Sequence, residues 1–111
     1  ELLGKFGRVP LVVLWLHGLG DTGSGWEGAF GDMQGVAFLH PTAPVRSVTA
    51  NHGLPCTAWF DLRRIPVMPT EWEEPRHLES SVRDIHKRLE ALEQHGVPPS
   101  SIILGGFSQG G

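Results

Sequence analysis

Apolar residues gather along this chain in three continuous runs and one long periodic stripe. The first run, VPLVVLWLH (Val9–His17), carries β-branched and aliphatic side chains at nearly every position and ends in GLGDTGSG. A run without polar alternation, bounded by glycines, predicts a strand buried on both faces, the habit of parallel sheets. GVAFLHPTAP predicts a shorter strand at Val36–His40, stopped by Pro41. SIILG (Ser101–Gly105) predicts another. Between the first two, Trp26–Met33 reads as a short helix capped by Ser24 and weakened by Gly28 and Gly31.

The stripe is helical. Leu78, Val82, Ile85, Leu89 and Leu92 recur at spacings of 4, 3, 4 and 3, which places them on one face. Glu71, Glu73 and Glu74 suit the positive end of the helix dipole, and Lys87 and Arg88 fall toward the other end. Pro75 fits the first turn, Gly96 fits a left-handed cap, and Pro98-Pro99 forbid continuation. Residues 41–70 are proline-rich and lack a long period; they predict an excursion with short strands or hairpin turns around TAWFDL and RIPVM. Strands alternating with helices imply an α/β fold with a mostly parallel sheet and crossover helices. Ligands in such sheets bind at the carboxyl ends of the strands, where both glycine-rich turns of this chain fall.

Composition narrows the classes. At 111 residues there is room for one core. The formal charge of -3, with bases spread among acids, argues against a nucleic-acid partner. Cys56 is the single cysteine, so no internal disulfide or thiolate cluster can form, which fits a cytoplasmic setting. No apolar run approaches the roughly 20 residues of a membrane span. Val9–Leu16 lacks the basic leader and cleavage site of a signal peptide. The chain begins at Glu1 and stops at a glycine pair, and both ends read as cut from something longer.

The chemistry lies in the two turns. Gly18-Leu19-Gly20-Asp21-Thr22-Gly23 satisfies G-x-G-x-x-G after a strand. A dinucleotide site would also need a good helix next and a carboxylate some 20 residues on. The following segment is glycine-rich, and the second strand ends in His40-Pro41, so that reading is set aside. An oxyanion loop fits better: a His-Gly-rich turn after an early strand donates one backbone N–H, and the residue after a serine nucleophile donates the other. Gly106-Phe107-Ser108-Gln109-Gly110 supplies the matching G-x-S-x-G elbow after the last strand. On this reading Ser108 is the nucleophile, and the Leu19 and Gln109 N–H groups are the oxyanion donors. Metal binding by His17, Asp21 and His40 fits no ligand spacing, and no cofactor is expected.

The residues then match a family. LHGLGDTGSGW, PTAPVRSVTANHG, WFD and GVPPSSIILGGFSQGG resemble, in order and spacing, the acyl-protein thioesterase / lysophospholipase-carboxylesterase family of α/β-hydrolases. The likeness runs from about Val12 to Gly111, with a divergent stretch at Leu62–Arg76; PRHLES resembles the lysophospholipase-like branch. The resemblance implies that residues 1–111 form part of one α/β-hydrolase domain, its amino-terminal half. It implies hydrolysis of acyl thioesters or carboxylic esters, on acylated proteins or lysophospholipids, with transient contact at a membrane surface. It carries over Ser108, Leu19 and Gln109 in the roles above and places Trp59 near the site. Ile65, Val67 and Met68 would fall where the family builds an apolar lid or acyl channel.

Family members follow the order Ser, Asp, His along the chain, and no Asp and His follow Ser108 here. His17 organises the oxyanion loop in the family and is not its base. His77, His86 and His95 read as solvent-facing on the helix or its cap, and Asp21 and Asp61 as structural. The chain by itself is therefore expected to be inactive and poorly soluble. The alternative is a non-catalytic truncated product that binds acyl groups or regulates the full-length enzyme.

Overall fold

A computed structural model describes residues 9–67 and 75–111. Three of the predicted strands form, close to their expected bounds: β1 at Leu11–Leu16, β2 at Val36–Leu39 and, last in the chain, β5 at Ile102–Gly106. They build one parallel sheet in the order β2-β1-β5. The excursion contributes a short antiparallel hairpin of β3 (Val45–Ser47) and β4 (Pro55–Thr57). TAWFDL is strand only at its first residue; Ala58, Trp59 and Phe60 leave the hairpin and turn into the core. RIPVM forms no strand in its described part, and Met68 lies outside the described residues.

The helix predicted at Trp26–Met33 does not form. A single 3-10 turn at Ser24–Trp26 is followed by turns, with no side-chain cap from Ser24. Gly28 and Gly31 both hold φ 74°, left-handed conformations that interrupt a right-handed helix. The segment is held instead by aromatic packing on one face of the sheet. Trp26 meets Trp15 of β1 with centroids 5.1 Å apart, and Phe30 stacks on Phe38 of β2 at 5.5 Å.

The long helix, α1, spans Pro75–Gln94. Pro75 opens it as expected, while Glu71, Glu73 and Glu74 lie outside the described residues. Lys87 and Arg88 fall in its second half, short of the last turn, and Arg88 pairs with Asp84 at 3.3 Å. The end follows the sequence. Gly96 is left-handed, its N–H bonds Glu93 O, and Val97 N–H bonds Leu92 O at 3.0 Å, which closes the last turn. Val97 and Leu92 are both buried, so the cap is also a core contact.

One core lies between the sheet and α1. Val12 and Leu14 of β1 join Leu39, Ala43, Trp59, Phe60, Ile85, Leu92 and Val97. The apolar stripe of α1 is only half used: Ile85 and Leu92 are buried, whereas Leu78 and Val82 are 36% and 45% exposed. Ile103 and Leu104 of β5 are also half exposed. Among the described residues β5 has a strand partner on one side only. No described helix is long and apolar enough to cross a membrane.

Candidate active site

Register brings the two glycine turns together. Leu16 at the end of β1 pairs with Gly106 at the end of β5. The ladder then runs one bond further, from Phe107 N–H to Leu16 O at 3.0 Å. The chain leaving β1 therefore passes directly beside the chain leaving β5. A Cβ added to Gly18 would stand 3.3 Å from the Cβ of Ser108.

The second turn is sharp. Phe107 is extended, at φ -123° and ψ 135°, and Ser108 switches to φ 54°. A non-glycine residue with positive φ is strained, and such strain concentrates where a side chain must be presented. Ser108 is exposed, and a 3-10 turn at Ser108–Gly110 follows. The flanking glycines are sterically required. A Cβ on Gly106 would collide with the Gly110 carbonyl, and one on Gly110 would collide with the Leu16 and His17 carbonyls. The strand-to-turn reversal brings backbone against backbone at both positions, which explains the G-x-S-x-G spacing.

Among the described residues no turn hydrogen bond takes up either proposed donor. The first internal bond of the 3-10 turn is Gly110 N–H to Phe107 O at 3.0 Å, so the Gln109 N–H precedes it. In the first turn, Gly20 N–H bonds Thr57 O at 2.8 Å and Asp21 N–H bonds Gly18 O at 3.2 Å. Neither bond uses Leu19 N–H.

His17 is fully committed to structure. It is 1% exposed. Ala43 N–H donates to its Nε2 at 2.9 Å, which leaves the proton on Nδ1 to donate to Gly18 O at 2.7 Å. With both ring nitrogens occupied, His17 can neither serve Ser108 as base nor ligate a metal with Asp21 and His40. Asp21 is structural as expected, accepting Thr22 N–H at 2.7 Å. The first turn also spends its N–H groups inwardly, Gly23 on Thr42 Oγ1 at 2.9 Å and Gly25 on Thr22 Oγ1 at 3.1 Å. A phosphate cradle needs those groups pointing outward at the start of a helix, which disposes of the dinucleotide reading.

Trp59 lies beside the site but faces inward, 3% exposed, with its ring 5.2 Å from that of His17. Asp61 is likewise structural. Its carboxylate accepts the Thr49 N–H and the Thr49 hydroxyl, each at 2.7 Å. Burial pushes its carboxyl up, but these two bonds, with His77 and Arg63 nearby, outweigh that and hold it below the usual range. The expectation that His77 faces solvent fails: it is half-buried, and its Nδ1 accepts the Asp61 N–H at 3.0 Å. His86 is exposed, and His95 is exposed with Nδ1 against Ala91 O at 2.7 Å. Among the described residues no side chain hydrogen-bonds the Ser108 hydroxyl.

An apolar cleft of about 740 Å³ opens beside Ser108, lined among others by Leu62, Val67, Leu78, Val82 and Leu104. Val67 of the expected lid is on its wall; Ile65 is 68% exposed and does not line it. Two residues that matter were not legible as such. The G-x-S-x-G pattern signals only the Gln109 backbone, yet the side chain binds the Trp59 N–H and the Phe60 carbonyl. Ser81 is a buried hydroxyl four residues before Ile85, on the apolar face of α1, and that misplaced polar residue was a usable signal.

The chain is similar to proteins of known kind. The chain is 34% identical over 105 residues to acyl-protein thioesterase 1 of Cryptococcus neoformans, covering 90% of this chain and 44% of that protein. It is 35% identical over 102 residues to acyl-protein thioesterase 1 of Schizosaccharomyces pombe, covering 89% and 45%. It superposes on the crystal structure of Arabidopsis thaliana SOBER1 with TM-score 0.83 at 30% identity, covering 90% of this chain and 50% of that one. The chain thus spans a little under half the length of the curated relatives it matches. The Phospholipase/Carboxylesterase family model matches residues 7–111, nearly the whole chain, and the chain belongs to that family of α/β-hydrolases.

Proposed function

We propose that the protein carrying this chain is a cytoplasmic serine hydrolase that cleaves acyl thioesters or carboxylic esters, with acylated proteins or lysophospholipids as substrates. The observation that carries this is Ser108 at φ 54° in a glycine-flanked turn, in register with the Gly18-Leu19 turn on the neighbouring strand. The Ser108 hydroxyl attacks the acyl carbonyl. Leu19 and Gln109 N–H receive the negative charge that develops on its oxygen, in a role where one donor is worth about 2.7–4 kcal/mol. The apolar cleft takes the acyl chain, with Val67 on its lid side and Trp59 as its floor. The similarity to acyl-protein thioesterases supports the substrate class.

A serine hydroxyl needs a base within about 3.2 Å. His17 is excluded by its own hydrogen bonds. The resemblance assigns the base to a histidine, oriented by an aspartate, that both come after the serine in chain order. The activity is therefore assigned to a protein of the relatives' length.

A fluorophosphonate probe tests the reading, because it labels only an activated serine. In a protein of the relatives' length carrying this chain, the probe marks the peptide containing Ser108 and marks nothing in Ser108→Ala. Binding of an acyl ligand without labelling supports the alternative, a non-catalytic acyl-binding or regulatory module.

A further inference from the structure

Trp59 sits where three elements meet, and it spends each of its polar groups on a different one. Its backbone N–H donates to Gln109 Oε1 of the elbow at 2.9 Å. Its carbonyl accepts from the Ser81 hydroxyl of α1. Its indole N–H donates to the His17 carbonyl, at the end of β1, at 2.8 Å. Gln109 closes the arrangement by donating from Nε2 to the Phe60 carbonyl at 2.6 Å. The Gln109 carboxamide thus pairs with the backbone of Trp59 and Phe60 as a neighbouring strand would, through one acceptor and one donor. Both residues it grips are buried.

We propose that the Gln109 carboxamide and the Trp59 indole are positioning residues that hold the two oxyanion donors on one rigid bracket. The proposal rests on the reading of Ser108 as nucleophile. Sheet pairing cannot do this work alone, because the last ladder bond, Phe107 N–H to Leu16 O, stops short of both donors. Beyond it the chain is a strained serine on one side and His17-Gly18 on the other. The Gln109 side chain shares a Cα with the donor N–H, so pinning the carboxamide fixes the peptide that follows Ser108. The His17 carbonyl lies one peptide before the Gly18-Leu19 peptide, and the indole holds it from the same residue that Gln109 grips. Ser81 removes the remaining slack by tying Trp59 to α1. Trp59 thus ties the two loops together, beside the local bonds that His17 Nδ1 and the Asp21 N–H make to the Gly18 carbonyl.

Two variants test this in a protein of the relatives' length. Gln109→Met keeps length and bulk but makes neither hydrogen bond. Trp59→Phe keeps an aromatic ring but loses the indole N–H. Misplacing a donor by about 1 Å costs on the order of 100-fold, so each variant is expected to lower kcat by about 10- to 100-fold. KM should stay within about 3-fold, because the donors act on the transition state. A trifluoromethyl ketone, whose enzyme adduct carries the oxyanion, should bind more weakly by the same factor as kcat falls. In the double variant the loss should be less than the product of the two, since both act on one bracket. Unchanged kcat, a rise in KM with kcat preserved, or a loss matched by the unfolded fraction overturns the proposal. If Gln109→Met does not fold, Trp59→Phe carries the same test. Turnover that persists in Ser108→Ala defeats the nucleophile reading itself; a dead Ser108→Ala beside a fully active Gln109→Met defeats only the bracket.

Discussion

Ser108 occupies a backbone conformation that its own side chain disfavours, and it is held there by glycines that have no room to be anything else. Gly106→Ala drives a Cβ into the Gly110 carbonyl. Overpacking of this kind costs about 1–3 kcal/mol, and here it acts on backbone that cannot swing away. The denaturation midpoint of Gly106→Ala should fall accordingly, and an unchanged midpoint would mean that the turn relaxes freely. Asp61 gives a second prediction, from its carboxyl held below the usual range. A lowered folded-state value means that the group stabilises the fold above the ordinary carboxylate pKa of about 3.9. That contribution is lost as pH falls through the lower, folded-state value. Asp61→Asn should therefore reduce stability at neutral pH and flatten the acid limb of a stability profile; parallel acid limbs would contradict the Thr49 contacts. At this scale the sequence was informative where a residue type has one use. A serine between spaced glycines could be read, and so could Asp21 in its turn. The Gln109 carboxamide and the His77 ring could not, because their partners lie 49 or 50 and 16 positions away in sequence.

Strands and helices came through more faithfully than turns. β1, β2 and β5 were legible because an unbroken apolar run has few other uses, and α1 because its stripe repeats for five positions. The helix expected at Trp26–Met33 does not form because the glycines there adopt φ 74° and aromatic packing replaces helical hydrogen bonds. The excursion around Trp59 defied periodicity because its residues are placed by tertiary hydrogen bonds and not by a strand ladder. α1 offers a direct check of its own burial. Leu92 is completely buried, and Leu92→Ala should cost about 2–5 kcal/mol. Glu90 is exposed on the other side, and Glu90→Ala should stay within about 0.5 kcal/mol. Equal losses at the two positions, read from denaturant unfolding, would put the helix in the wrong rotation.

Taken whole, the described residues form a parallel sheet, a short hairpin and one long helix, with apolar surface left uncovered on β5 and α1. Leu104 and Ile103 of β5 and Leu78 and Val82 of α1 are all substantially exposed. An open strand edge with apolar neighbours invites pairing with other chains. The chain expressed alone should therefore aggregate, and Leu104→Lys should lower its light scattering by placing a charge on that surface. No change in scattering would show that the edge is not the cause. The relatives are more than twice as long as their matched segment, and in the proposed enzyme that additional chain supplies the base. The proposed nucleophile, Ser108, lies within this chain, which makes it the sharpest point of attack. Acyl-enzyme trapping addresses it directly: quench a protein of the relatives' length during turnover of a long-chain acyl thioester, digest it, and locate the acyl mass. The predicted result is an acyl group on the peptide containing Ser108, absent in Ser108→Ala together with turnover. Acylation elsewhere, on Cys56 for instance, or turnover that survives Ser108→Ala, would contradict it.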